Sequence, residues 1–280
     1  MGVKLAALAA SALVSLPPAA SGTAFVRSHQ LESGGFAERG GTEYPQLTAW
    51  AVLGLRAAGD SARSTASRFL AQREPELKSP TDLALAVLAQ RALGQPPGRA
   101  LERLRAFERP NGAVGTLVNG TAWSVIAYRA AGVPVRGRTI RWLLARQNRR
   151  GGWGWAPRNV DSNDTAAVVE ALRAANVRGR PIRRALRFLL RYRNADGGFE
   201  LTLGRGSDAQ STAWVVQAFV AAGKPPPRGS LAYLRRLQAS DGSFRYSGRY
   251  ATTPVWVTAQ VLPALARKPF PLTIPSKAAD

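Results

Sequence analysis

Three residues at the head of one apolar run have the types and spacing to move a proton. Asp161, Asn163 and Asp164 stand just ahead of the run that starts at Thr165. Two carboxylates held close raise each other's proton affinity, so one can stay protonated near neutral pH and act as an acid. The residue between them, Asn163, carries an amide with no ionisable proton to give. Short acceptors directly before a helix also cap its free backbone N–H groups, and Asp164, next to Thr165, is placed to do so. Ser211 occupies the equivalent place before Thr212. Asp208 precedes Thr212 by the same interval that separates Asp161 from Thr165, which puts both acids on one rim. There they would meet a cation, a polar head group or solvent.

Tryptophan offers a second chemistry. Trp50, Trp123 and Trp214 fall at one position of a repeated segment. They either fill a core between helix layers or line a central cavity, where ring faces hold a flat apolar ligand or stabilise a carbocation. Trp155 has no repeat counterpart and lies in an irregular stretch, which makes it a ligand candidate. Trp153 reads as a packing residue. Other site chemistries are excluded by composition. With no cysteine there is no thiolate, thioester or Cys-ligated zinc, and the single histidine, His29, leaves no His-based metal site and no Ser-His-Asp triad. Neither a metal nor a cofactor is expected.

The elements that must position these residues repeat six times. A Thr followed by an apolar helix recurs as TAWAVLGLRAAG from Thr48, TDLALAVLAQRALG from Thr81, TAWSVIAYRAAG from Thr121, TAAVVEALRAAN from Thr165, TAWVVQAFVAAG from Thr212 and TAQVLPALARKP from Thr258. Most copies end in a Gly or Asn suited to a helix C-cap. Before most of them runs a second helical pattern, such as RTIRWLLARQ from Arg138 or IRRALRFLLRYR from Ile182, with one apolar stripe and arginines expected to face water. A Gly turn followed by an apolar residue, usually aromatic, joins the two, as in Gly151-Gly152-Trp153 and Asp196-Gly197-Gly198-Phe199. A Gln precedes it at Gln30, Gln147 and Gln238, with an amide that can bond the turn and nearby helix ends. The second copy lacks the turn. Such helix pairs cannot bury their apolar faces alone and must stack. Neither terminal copy carries a polar capping face, which favours closure into an all-α ring of about twelve helices.

The stretches QNRRGGW at Gln147–Trp153, RNADGGF at Arg193–Phe199, QASDGSF at Gln238–Phe244 and QLESGGF at Gln30–Phe36 resemble the repeat of squalene and terpene cyclases. SDAQSTAWVVQAF from Ser207 is similar to the helix that family places next. The resemblance spans about residues 25–270 and implies a single (α/α)6 toroid, with the Thr-Ala-Trp helices inside and the Arg-rich helices outside. It also implies that Asp161-Ser162-Asn163-Asp164 matches the DxDD motif from which class II cyclases start their reaction. Asn163 then stands where the family has its proton donor, and Asp161 or Asp164 would have to take over. Bacterial squalene cyclases use two barrels, and this chain has one.

The ends and the charge complete the expectations. Lys4, an apolar run from Leu5 to Leu16 and Pro17-Pro18 read as an export signal over residues 1–24, cleaved within Ala20–Ala24. Residues 25–268 form the ring, and a proline-spaced tail, 269–280, covers its seam. Such a chain would be secreted or attached to the cell surface without a membrane span. The net charge is +22, and only Lys4, Lys78, Lys224, Lys268 and Lys277 of the 39 basic residues are lysine. That charge suits an anionic membrane or cell-surface polymer; no nucleic-acid motif accompanies it. Three functions stay open. They are a non-catalytic ring that binds a hydrophobic, isoprenoid-like ligand or a surface partner, a small class II cyclase using Asp161 and Asp164, and a glycan-binding or glycan-cleaving toroid.

Overall fold

The structure, a computed structural model, describes residues 18–156 and 158–272. Twelve α-helices alternate between two layers among them. The inner layer holds α2 (Pro45–Ala57), α4 (Pro80–Ala92), α6 (Val118–Ala130), α8 (Ser162–Ala174), α10 (Ala209–Ala221) and α12 (Pro254–Leu265). The outer layer holds α1 (Pro18–Ser28), α3 (Thr65–Gln72), α5 (Gly98–Ala106), α7 (Gly137–Ala145), α9 (Arg180–Leu189) and α11 (Ser230–Arg236). Inner helices are apolar nearly all round because both faces are covered. Outer helices keep one stripe: Ile182, Ala185, Leu186 and Leu189 of α9 are buried while Arg183 and Arg187 are exposed. Each inner helix packs on the next, and α12 packs back on α2, so the toroid is closed. Gly54 makes that closure possible, since a Cβ there would lie 2.4 Å from the Ala259 carbonyl oxygen. Glu38 then caps α12 from the start of the chain, its carboxylate accepting from Val255 N at 3.0 Å and Trp256 N at 2.9 Å.

The recurring threonine is a staple. Its Oγ1 accepts the backbone N–H of the residue closing the Gly turn: Phe36 to Thr48 at 3.0 Å, Val114 to Thr121 at 3.1 Å, Trp153 to Thr165 at 2.9 Å, Phe199 to Thr212 at 2.8 Å and Phe244 to Thr258 at 2.9 Å. The preceding glutamine ties the turn to the next outer helix. Gln147 Nε2 donates to the carbonyls of Gly151 and Pro181, both at 2.9 Å, and Gln238 Nε2 donates to Gly242 O at 3.0 Å and Ser21 Oγ at 2.9 Å. Thr165→Val keeps the shape but strands the buried Trp153 N–H. It is expected to lower stability by about 1–3 kcal/mol in urea unfolding, with Thr165→Ser near wild type. Equal stability of Thr165→Val and wild type would mean the staple contributes nothing.

The structure departs from three expectations. In the second unit the matching residue is Leu83, not Thr81: Thr48, Thr121, Thr165 and Thr212 each lie three residues into their helix, and so does Leu83 in α4. With no Gly turn to hold, that place needs no hydroxyl. The arginines, second, do not merely face water. Arg91, Arg129 and Arg173 donate Nε to the carbonyls of Ala130, Ala174 and Ala221 at 3.3, 3.0 and 2.9 Å, each closing the C-terminal end of the neighbouring inner helix. Arg103, Arg184 and Arg236 clamp carbonyls of the preceding connection, Arg103 reaching Glu74 O at 2.8 Å and Leu77 O at 2.6 Å. The region expected to be cleaved, Ala20–Ala24, lies within α1, where Gly22 packs against Leu262 and Phe244. Lys4 and the apolar run lie outside the described residues. Last, the start of the tail enters the ring instead of covering a seam: Phe270 is buried among Trp50 and Trp123.

One feature escaped the sequence reading. β1 (Trp153–Ala156) and β2 (Asn159–Asp161) form a small antiparallel hairpin pairing Trp153 with Asp161. Strands this short show too little alternation to register as β structure.

Candidate functional site

The hairpin delivers the chain to α8 with Asp161 as its N-cap, whose Oδ1 accepts from Asp164 N at 2.7 Å. The helix thus starts earlier than expected, and the cap is Asp161, not Asp164. The reason is the Thr staple: Thr165 Oγ1 donates to Asp161 O at 2.6 Å, so Thr165 already lies inside the first turn. Asp208 caps α10 in the same way, accepting from Ser211 N at 2.7 Å and Ser211 Oγ at 2.8 Å. Ser211 is therefore not the cap either. Asp161 and Asp208 share one rim, formed by the N-terminal ends of the inner helices, as their spacing predicts.

Asp164 looks away from the cap toward α6, where Asn119 Nδ2 donates to its Oδ1 at 2.9 Å. Asn119 Oδ1 in turn accepts from Thr81 Oγ1 at 3.1 Å, so a polar line crosses three inner helices. Burial, then the adjacent Asp164 charge, pushes Asp161 up to about 7 against the lowering pull of its cap hydrogen bonds. Burial also raises Asp164, opposed by the Asn119 amide, and raises Asp208 against the Ser211 hydrogen bonds. The pair can hold a proton near neutral pH. Asn163 lies beside Ser162, whose Oγ is 3.3 Å from its Oδ1.

The three repeat tryptophans do not line an open cavity. Their rings meet at the ring axis, with centroids 5.4 Å apart for Trp50 and Trp123, 5.6 Å for Trp123 and Trp214, and 6.1 Å for Trp50 and Trp214. Around the ring they alternate with Leu85, Ala167 and Gln260, so each indole has a smaller neighbour on either side. Trp214 Nε1 donates to Gln260 Oε1 at 2.9 Å. Phe270 closes the remaining space, 6.1 Å from Trp50 and 5.7 Å from Trp123. Its N–H donates to Glu170 Oε2 at 2.8 Å. Glu170 is fully buried on α8, and that burial pushes it up to about 8 despite the Phe270 hydrogen bond.

Of the residues singled out, Asp161 and Asp164 come together at the rim, with Asp208 on the next helix. Trp50, Trp123 and Trp214 come together in the centre. Trp155 joins neither group: it points outward from β1, 65% exposed, over a cleft of about 60 Å³ that also includes Trp142 and Arg146. Trp153 is fully buried and donates Nε1 to Leu143 O at 2.7 Å, a packing role as expected. Asp208 borders a cleft of about 560 Å³ with Arg205, Tyr246, Arg249 and Tyr250. Glu170, Gln217, Gln260 and Phe270 were missed. A signal for Glu170 was present, since VVEALR sets a carboxylate among apolar residues in the middle of an inner helix.

No protein-family profile matches the chain. It is similar to drimenyl diphosphate synthase of Streptantibioticus cattleyicolor, 32% identical over 190 residues that cover 57% of this chain. The chain spans 35% of that enzyme's length. Among solved structures it is similar to the type II terpene cyclase MstE from Scytonema without ligand, with a TM-score of 0.68 and 14% identity over 89% of this chain and 96% of that one. A variant of MstE is solved with geranylgeranyl dihydroxybenzoate as substrate, similar at a TM-score of 0.63 and 15% identity over 90% and 96% of the two chains. A glycosidase in complex with glucose is similar as well, with a TM-score of 0.63 and 13% identity over 90% of this chain and 96% of that one. The fold is a terpene-cyclase-like helical toroid, a shape shared with glycosidases and polysaccharide lyases.

Proposed function

We propose that this ring binds an isoprenoid-class ligand at an anionic lipid surface and does not cyclise it. The observation that carries the non-cyclising half of this reading is the filled centre. Trp50, Trp123, Trp214 and Phe270 occupy the axis where a substrate chain would have to lie. Near the rim, Asp161 serves as a helix cap and Asp164 answers Asn119, while Asn163 has no acidic proton to transfer. The isoprenoid class is carried over from the names of the similar cyclases.

The face formed by the inner-helix N-termini supports the lipid surface. Its connections, 37–44, 115–117, 154–161, 200–208 and 245–253, carry four of the six exposed large apolar side chains among the described residues: Leu117, Trp155, Leu203 and Tyr250. Every exposed charge in these connections is an arginine, at Arg39, Arg158, Arg205, Arg245 and Arg249, while their carboxylates are drawn inward. In the remaining connection, 73–79, the exposed Glu76 is ion-paired to Arg73. Exposed Trp, Tyr and Leu beside arginines suit the headgroup boundary of an anionic bilayer. No described helix is long and apolar enough to cross one.

Sedimentation with phosphatidylglycerol vesicles tests this. The chain is expected to bind them over phosphatidylcholine vesicles, with Arg205→Gln and Arg249→Gln each weakening binding by about 1 kcal/mol and Trp155→Ala weakening it further. Equal binding to both lipids, or tighter binding to an anionic glycan resin, would overturn the lipid reading. Export fits the same picture, with processing placed before α1 so that the helix stays whole. N-terminal sequencing of the secreted protein checks it: a mature chain starting inside α1 contradicts that placement.

A second reading has one observation in its favour. Asp161 and Asp164 stand together at the head of α8, where burial raises both, Asp161 to about 7, the direction a protonation-initiated cyclase requires.

A further inference from the structure

The chamber under the three tryptophans is filled by the chain's own Phe270, while Pro269, Pro271 and Leu272 stay at its mouth. Pro269 and Pro271 have no N–H, so Pro269-Phe270-Pro271 presents one backbone donor, and Glu170 accepts it. The Phe270 ring rests on Trp50 and Trp123. On the inner helices three buried polar atoms have no partner among the described residues: Trp123 Nε1, whose ring Phe270 touches, Gln217 Oε1 and Gln260 Nε2. Gln217 is at the same level of α10 as Glu170 in α8, each eight residues in from the helix start. Native cores seldom leave such groups unsatisfied, and two donors and one acceptor stand idle here. A cleft of about 510 Å³, lined by Arg56, Gly59, Arg267, Lys268, Pro269, Pro271 and Leu272, opens beside the segment on the C-terminal face, away from Asp161 and Asp164.

We infer that this chamber is the ligand site, entered from the C-terminal face, for a small prenyl or aryl alcohol whose apolar part replaces the Phe270 ring and whose hydroxyl replaces the Phe270 N–H at Glu170. A hydroxyl keeps two lone pairs after donating its one proton to Glu170, so it also accepts from an idle donor, Gln260 Nε2 or Trp123 Nε1, as the Phe270 N–H cannot. Segment 269–272 is then a built-in competitor. The apparent affinity falls by the fraction of molecules whose chamber is plugged, and any ligand must displace the plug. The inference rests on the binding reading above and gives it a place and a ligand class.

Geraniol and benzyl alcohol are the probes, with toluene as the hydroxyl-free control. Calorimetry is expected to show both alcohols binding the full chain, at least tenfold tighter in Phe270→Ala, with toluene much weaker in each. Glu170→Gln keeps an acceptor and should bind; Glu170→Leu should lose the alcohol preference. If Phe270→Ala does not fold, amide exchange in the wild-type chain decides, because geraniol should speed exchange at the Phe270 N–H by freeing it from Glu170. The inference is overturned if toluene binds as well as benzyl alcohol, since the variant would then be a plain void. It is overturned equally if geraniol neither binds wild type nor changes that exchange. Vesicle binding with no alcohol binding would sink this site and leave the lipid-surface reading standing.

Discussion

Trp123→Ala is expected to lower the free energy of unfolding by about 3–5 kcal/mol, measured in urea. Trp123 is 1% exposed and touches Trp50, Trp214 and Phe270, so its removal empties the axis on which three helices meet. Trp123 Nε1 has no hydrogen-bond partner, so the loss is one of packing and cavity formation, not of a lost polar contact. Trp123→Phe should recover part of it. Trp155→Ala, at an exposed position, should stay within about 0.5 kcal/mol of wild type. Similar losses for Trp123→Ala and Trp155→Ala would mean that the centre is not packed.

Glu170 gives the second large effect, and it is read against pH. In the unfolded chain a glutamate titrates near 4.5; in the folded ring burial holds Glu170 near 8. The folded state therefore grips the proton more strongly. The stability this gives is whole below about pH 4.5 and is lost as pH rises toward 8. Within that window wild type should lose up to about 1.4 kcal/mol per pH unit relative to Glu170→Gln, with the difference flat above 8. Gln can still accept the Phe270 N–H, so the variant isolates the charge. A wild-type-minus-variant difference that does not move between pH 5 and 8 would show that Glu170 is not held neutral by the fold.

The sequence carried the ring well and its centre poorly. Six Thr-led apolar segments and Gly turns were enough for twelve helices in two layers, because those residues act locally: the hydroxyl, the turn and the amide bond within one unit or to the next. The sequence offers two good caps at each start, Asp161 or Asp164 for α8 and Asp208 or Ser211 for α10, and only the bonds of Thr165 to Asp161 O and of Thr212 to Asp208 O decide between them. Residue type alone favours Thr81 over Leu83, while packing sets the register at Leu83. The arginines looked idle because their partners are backbone carbonyls of other units, which carry no side-chain signature. Phe270 was unreadable for a stronger reason: its contacts with Trp50, Trp123 and Glu170 join residues far apart in the chain, and nothing in its own neighbourhood distinguishes a plug from a tail.

The claim that this ring binds without cyclising is tested most directly by product analysis. Purified chain would be incubated with squalene and shorter prenyl substrates across pH 5–8, and the extracts analysed by gas chromatography with mass detection. The filled axis and the amide at Asn163 predict no cyclised product from wild type, and the same blank from Asp164→Asn. A cyclised product that wild type makes and Asp164→Asn does not would contradict the account and return Asp161 and Asp164 to the role of an acid pair.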